Sequence, residues 1–117
     1  SKIENEANAK AGIILRKFGK KYPEIYMAAS TTPHDAAQEG ELYFSEMEQL
    51  ARNGKLVGIG ETGLDYHYYA DTKEEQQKLL RRYLRLAKEC SLPVIIHCRD
   101  AFEDFFHILD EEVFCLL

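Results

Sequence analysis

Apolar positions in this chain recur with two different periods, and the alternation between the two sets the order of its elements. Over residues 5–21, Ala7, Ala11, Ile14, Leu15 and Phe18 fall at helical spacing, and Gly19-Lys20-Lys21 supplies the glycine and positive charge that finish a helix. Pro23 closes it off, and Glu24 to Ser30 reads as a short buried strand. Thr32-Pro33-His34-Asp35 then offers a capping hydroxyl, a proline at the first helical position and an acid three residues beyond the cap, so a helix starts there. Gly40 interrupts it, and Tyr43, Met47, Leu50 and Ala51 restore the spacing until Asn53-Gly54 ends it.

The second half repeats the scheme. Leu56-Val57-Gly58-Ile59-Gly60-Glu61 is a strand, and Gly63 to Tyr69 is a polar and aromatic loop suited to lining a site. Thr72 with Glu75 forms a capping box before a long helix striped by Leu79, Tyr83, Leu86, Ala87 and Cys90. Pro93 opens the strand Pro93-Val94-Ile95-Ile96-His97, and a last helix from Asp100 to Glu112 carries Ala101, Phe105 and Leu109, with Phe102 and Phe106 beside them. An apolar tail, Val113 to Leu117, ends the sequence as if cut rather than finished.

Strands joined by helices form right-handed βαβ units, whose parallel strands bring their carboxyl ends to one edge of the sheet. That edge is where α/β folds bind ligands. Glu61 and His97 each end an apolar strand there, and a carboxylate with an imidazole is an ordinary start to a hydrolytic metal site. Strand alternation makes an inward Glu61 travel with Ile59 and Val57, and an inward His97 with Ile95. Spacing alone leaves other readings open: Glu61 could cap amides of its own loop, and His97 could be a hydrogen-bonded strand-end residue.

Composition narrows the picture. With 117 residues the chain has room for one core but falls well short of the about 250 residues of a closed eight-fold barrel. Apolar residues at 45% and charged residues at 30% fit a soluble globular protein, and no apolar stretch approaches the roughly 20 residues that span a bilayer. The polar, acidic amino end has no signal-like segment, which makes the cytoplasm the expected location. Cys90, Cys98 and Cys115 are odd in number and lack Cys-x-x-Cys spacing, against both a disulfide framework and a thiolate zinc cluster. A net charge of −5 gives no general pull on polyanions, and Arg81, Arg82, Arg85 and Lys88 sit together on a helix, where they read as solvated surface.

Val57-Gly58-Ile59-Gly60-Glu61-Thr62-Gly63-Leu64-Asp65-Tyr66, then Glu75-Gln76-Gln77, then Pro93 to Ala101 with its His97-Cys98-Arg99-Asp100 core, closely resembles the TatD family of metal-dependent deoxyribonucleases over roughly residues 24–112. The resemblance implies a TIM-barrel hydrolase of the amidohydrolase type that cleaves DNA phosphodiesters with two divalent ions, Mg, Mn or Zn. It places Glu61 on the family's bridging glutamate and His97 on a metal-binding histidine. Arg99 matches an arginine suited to a phosphate, with a salt bridge to Asp65 or Asp100 equally open. Asp65 and Tyr66 become candidate substrate contacts, and Tyr68 and Tyr69 could stack on bases or pack at the rim.

Departures from the family pattern matter as much. No Asp-x-His-x-His triplet occurs, the later histidine and aspartate strands are absent, and Thr32 stands where relatives commonly carry a histidine. His34 reads as a first-turn helix residue, His67 as a loop residue able to approach substrate, and His107 as a helix residue. The expected fold is therefore α/β, about three parallel βα units out of eight, with residues 1–117 forming a single incomplete domain. As an isolated segment it should show little or no nuclease activity, and its open sheet edges allow self-association. A non-catalytic remnant, an incomplete gene product or another amidohydrolase-type hydrolase are the alternatives.

Overall fold

The computed structural model describes residues 28–33 and 36–112. The helix expected over residues 5–21, the start of the first strand, His34 and the tail 113–117 lie outside the described residues. Within them run strand β1 (Ala28–Ala29), helix α1 (Ala36–Arg52), strand β2 (Gly58–Asp65), a 3-10 turn (Ala70–Thr72), helix α2 (Lys73–Glu89), strand β3 (Val94–Arg99) and helix α3 (Phe102–Glu112). The strands pair in parallel in the order β1-β2-β3.

Neighbours in this sheet are also neighbours in sequence. With right-handed crossovers, which parallel strands almost always take, successive helices fall on one face of the sheet, as in an α/β barrel. A doubly wound sheet would reverse its strand order to cover both faces. The packing agrees. Phe44, Met47, Leu50 and Ala51 of α1 meet Ile59 of β2 and Leu79, Tyr83, Leu86 and Ala87 of α2 in one cluster. Leu64 meets Leu80 and Leu84 of α2 with Ala101, Phe105 and Ile108 at α3 in a second. Val94 packs against both clusters, so β3 joins them. Each fully buried aliphatic side chain contributes about 1.5–3 kcal/mol, and nearly all of them lie on the helix side. On the other side Ile95 is 52% exposed.

Polar contacts lock the helices to one another. Arg81 reaches Glu111 at 2.7 Å and Glu112 at 3.0 Å, while Arg85 grips Glu112 with two bonds of 2.8 and 2.7 Å. Arg82 lies over the Phe44 ring at 3.9 Å. The arginine cluster of α2 lies on the solvated surface, as expected, and there pairs with α3 and, through Arg82, with the Phe44 ring of α1. Tyr83, fully buried, shares a hydrogen bond with the Thr31 hydroxyl and so ties the loop after β1 to α2; burial pushes its phenol up to about 12 against the lowering effect of Thr31.

Three local expectations are revised. Helix α1 runs unbroken through Gly40, because one glycine costs a helix only about 1 kcal/mol and the α1 stripe is anchored in the core on its far side. Strand β2 extends four residues past Glu61, to Asp65, since Gly63, Leu64 and Asp65 pair with His97, Cys98 and Arg99. The Thr72–Glu75 capping box does not form: the Thr72 hydroxyl makes no cap bond and donates instead to the Tyr69 carbonyl at 3.1 Å, while accepting from Gln76 at 3.0 Å.

Candidate active site

The register between β2 and β3 decides where the site residues stand. Ile59 is opposite Val94, but Thr62 is opposite Ile96, so β2 uses one residue more than β3 over the same length. Gly60 faces Ile95, and a Cβ on it would lie 2.5 Å from the Ile95 Cβ. Glu61 therefore stands out of register with β3, in an irregularity of the ladder that re-aims its side chain. Ile59 before it and Leu64 after it are fully buried toward the helices. The expected sharing of one face by Glu61, Ile59 and Val57 is thereby corrected: Ile59 is core, Val57 precedes the strand, and the irregularity turns Glu61 away from both. The expected pairing of His97 with Ile95 holds, since the alternate positions Val94, Ile96 and Cys98 pack against the helix-side core.

At the carboxyl edge, His97 lies between two carboxylates. Its Nδ1 is 3.2 Å from Glu61 Oε1, and its Nε2 is 2.9 Å from Asp65 Oδ2. Asp65 is buried, and its other oxygen accepts the backbone N–H groups of His67 at 3.0 Å and Tyr68 at 3.2 Å. Burial pushes the Asp65 carboxyl up, but the bond to His97 and those two amides outweigh it and hold the group below the ordinary aspartate value. Behind it, Gln76 is fully buried: its carbonyl accepts the Asp65 N–H at 2.7 Å, and its amide donates to the carbonyls of Asp65 at 3.0 Å and Tyr69 at 2.8 Å.

Glu61, Asp65, His97 and Arg99 line a pocket of about 270 Å³ together with Thr32, Pro33, Tyr68 and Tyr69. All three strands contribute to it through their carboxyl ends or the loops that follow. Arg99 spreads over the Tyr68 ring at 4.9 Å, while Asp65 is taken by His97 and Asp100 by His67 at 3.0 Å; neither is the Arg99 salt bridge left open by the sequence. Tyr66 is not in the pocket. It packs against the second core cluster and donates to Asp104 of α3 at 2.8 Å, while Gln77 donates to its oxygen at 2.7 Å. Burial, and then the bond to Asp104, push its phenol up to about 12. His107 pairs with Glu111 on the exposed side of α3, away from the site.

The contacts of two residues, Asp65 and Gln76, escape a reading of the sequence. Asp65, a candidate substrate contact from the resemblance, lines the pocket and also meets His97 Nε2 at 2.9 Å. Gln76 anchors the end of β2; the available signal was its place in the apolar stripe three residues before Leu79, where a polar residue must have buried partners. Among the described residues, no group of three or more His, Cys, Asp or Glu side chains is placed to hold a metal ion. Glu61 and His97 supply two converging donors of the kinds that divalent cations accept, oxygen and imidazole nitrogen.

Comparison with known proteins places this arrangement. Residues 6–114 match the family model described as TatD related DNase. The chain belongs to that family. It is 43% identical over 93 residues to the uncharacterized metal-dependent hydrolase YabD of Bacillus subtilis, a match covering 80% of this chain and 36% of that protein. It is 35% identical over 95 residues to the 3'-5' ssDNA/RNA exonuclease TatD of Escherichia coli K12, covering 81% and 36% respectively. The solved structure of YJJV, a TatD homolog from E. coli K12, superposes with a TM-score of 0.73 at 27% identity, over 86% of this chain and 39% of that one. The chain thus spans a little over a third of the TatD relatives it matches, and its fold is the corresponding part of a TIM barrel.

Proposed function

We propose that these residues form the central wall of a metal-dependent nuclease site, a single incomplete TatD-like domain over residues 1–117 whose completed barrel hydrolyses DNA phosphodiester bonds. The observation that carries this reading is the 3.2 Å approach of His97 Nδ1 to Glu61 Oε1 at the carboxyl edge of the sheet, inside the pocket that also holds Arg99. Support for the substrate comes from the relatives, one of which is named as a 3'-5' ssDNA/RNA exonuclease. Two ligands fit a divalent cation as part of a set, so further donors must come from elsewhere in a complete barrel. Divalent cations bound there would supply Lewis acidity, easing attack of water on the phosphorus and departure of the leaving oxygen.

The protein's own groups have separable tasks. Glu61 and His97 would hold the cations. Arg99, exposed and steadied by Tyr68, would bind a non-bridging phosphate oxygen. Tyr68, 66% exposed at the rim, offers a ring face on which a splayed base could stack, with about 1–3 kcal/mol per stacked base. No described helix is long and apolar enough to cross a membrane, and the proposed workplace of the enzyme is the cytoplasm.

The test is cleavage of labelled single- and double-stranded DNA by a polypeptide that completes the barrel around this segment. Cleavage is expected with Mg²⁺ or Mn²⁺, abolished by EDTA, and reduced at least a hundredfold in Glu61→Ala; the 117 residues alone should cut little or not at all. Cleavage indifferent to EDTA or to Glu61→Ala would remove the site from the mechanism.

A further inference from the structure

His97 meets two acids, and the two are not equivalent. Asp65 is fixed: its side chain is 9% exposed, one oxygen is saturated by the His67 and Tyr68 amides, and the other takes His97 Nε2 at 2.9 Å. Gln76 in turn holds the Asp65 backbone from both sides, through its N–H and its carbonyl. Glu61 is loose by comparison. It stands outside the strand alternation, its side chain is 53% exposed, and it meets His97 Nδ1 at the longer distance of 3.2 Å.

An ionised carboxylate only accepts hydrogen bonds. Asp65, buried and unable to turn away, therefore requires a proton on the nitrogen facing it, which is Nε2. A neutral imidazole with its proton on Nε2 leaves a bare lone pair on Nδ1. That lone pair then faces another acceptor, the Glu61 carboxylate, across a gap that only a positive charge can make attractive. Glu61 is free to move to accommodate such a charge; Asp65 is not.

Resting on the metal reading of the site, we propose that Asp65 is a positioning residue rather than a substrate contact or ligand: it fixes the His97 tautomer with hydrogen on Nε2, leaving Nδ1 as the nitrogen that shares a divalent cation with Glu61. A hydrogen-bonded carboxylate behind a metal-binding imidazole orients the ring and raises its basicity, and losing such a partner weakens metal binding by about 10–100-fold. Asp65→Asn is the informative change. Its amide keeps the shape, but with its oxygen retained by the His67 and Tyr68 amides, its NH₂ group faces Nε2 and donates to it, which moves the ring proton to Nδ1.

The test uses the polypeptide that completes the barrel around this segment: it reads the tautomer directly, by long-range proton–nitrogen correlation on protein labelled with ¹⁵N-histidine, and cation affinity separately, by calorimetric titration with Mn²⁺ and Zn²⁺. Wild-type His97 should show hydrogen on Nε2. Asp65→Asn should reverse the tautomer and weaken cation binding by about 10–100-fold, whereas Glu61→Gln should weaken binding and leave the tautomer as it was. Asp65→Glu, which restores an acceptor, should keep the wild-type tautomer. A wild-type His97 with its hydrogen on Nδ1 overturns the proposal without recourse to any variant, as does an Asp65→Asn chain that binds cations like the wild type. If the completed-barrel polypeptide binds no cation, the metal reading of the site fails, while the tautomer of His97 still decides whether Asp65 sets it.

Discussion

Gly63 has φ of +147°, and a Cβ built on it would lie 1.8 Å from the His97 carbonyl oxygen. No other residue fits there without driving β2 and β3 apart at the point where Asp65 and His97 meet. Gly63→Ala should therefore lower stability by at least about 1–3 kcal/mol, read as a shift in the urea midpoint. Asp65 makes a different prediction, in pH. Its folded value is depressed, so the carboxylate adds stability that is fully present above the ordinary aspartate value of about 3.9 and disappears as pH falls through the lower, folded value. Urea midpoints between pH 2 and 6 should fall at the acid end in the wild type and fall less in Asp65→Asn. At this scale, Glu61 and His97 stood out because each closes an apolar run in the sequence, and Arg99 through the family resemblance; all three line the pocket. The roles of Asp65 and Tyr66 were not, because both depend on partners 32 and 38 residues away, His97 and Asp104, which no local pattern encodes.

Between elements, one side chain does much of the joining. Gln76 spans the end of β2, the 3-10 turn and the first turns of α2, satisfying the buried Asp65 N–H and carbonyl and the part-buried Tyr69 carbonyl. Gln76→Ala should cost about 1–3 kcal/mol for the polar groups it strands, and hydrogen exchange should rise first at the Asp65 amide. Order and type of the described elements followed from periodicity: the stripe Leu79, Tyr83, Leu86 and Ala87 is the buried face of α2. Boundaries followed less well. Two glycines in Gly60-Glu61-Thr62-Gly63 look like a loop by propensity, yet pairing with β3 carries the strand through them. A threonine before a helix suggested a cap, but its hydroxyl is claimed by Gln76 and Tyr69.

At the scale of the whole fold, among the described residues the helices cover one side of the sheet and leave the other bare. Ile95 exposes 52% of its surface there, and Phe102 and Phe106 stack at 6.5 Å on the outside of α3, both more than half exposed. Apolar surface of this kind favours association, so the purified chain should sediment with a concentration-dependent increase in mass. Ile95→Lys should reduce that tendency without unfolding the helix-side core. One-sided coverage was implied by strands that are consecutive in sequence and too few to close a ring. Which face stays open could not be read from Val57 and Ile59, because the irregularity at position 61 changes the frame between the two halves of β2.

That irregularity has an evolutionary and experimental corollary. An acid placed within the regular alternation would share its strand geometry with the core, and every change of its side chain would also be a change of packing. Glu61 stands on the exposed pocket side of the sheet, outside the packed core, so its identity can change with little change of packing. Removing its carboxylate in Glu61→Ala should leave thermal unfolding within about 0.5 kcal/mol of the parent chain, making loss of chemistry separable from loss of structure.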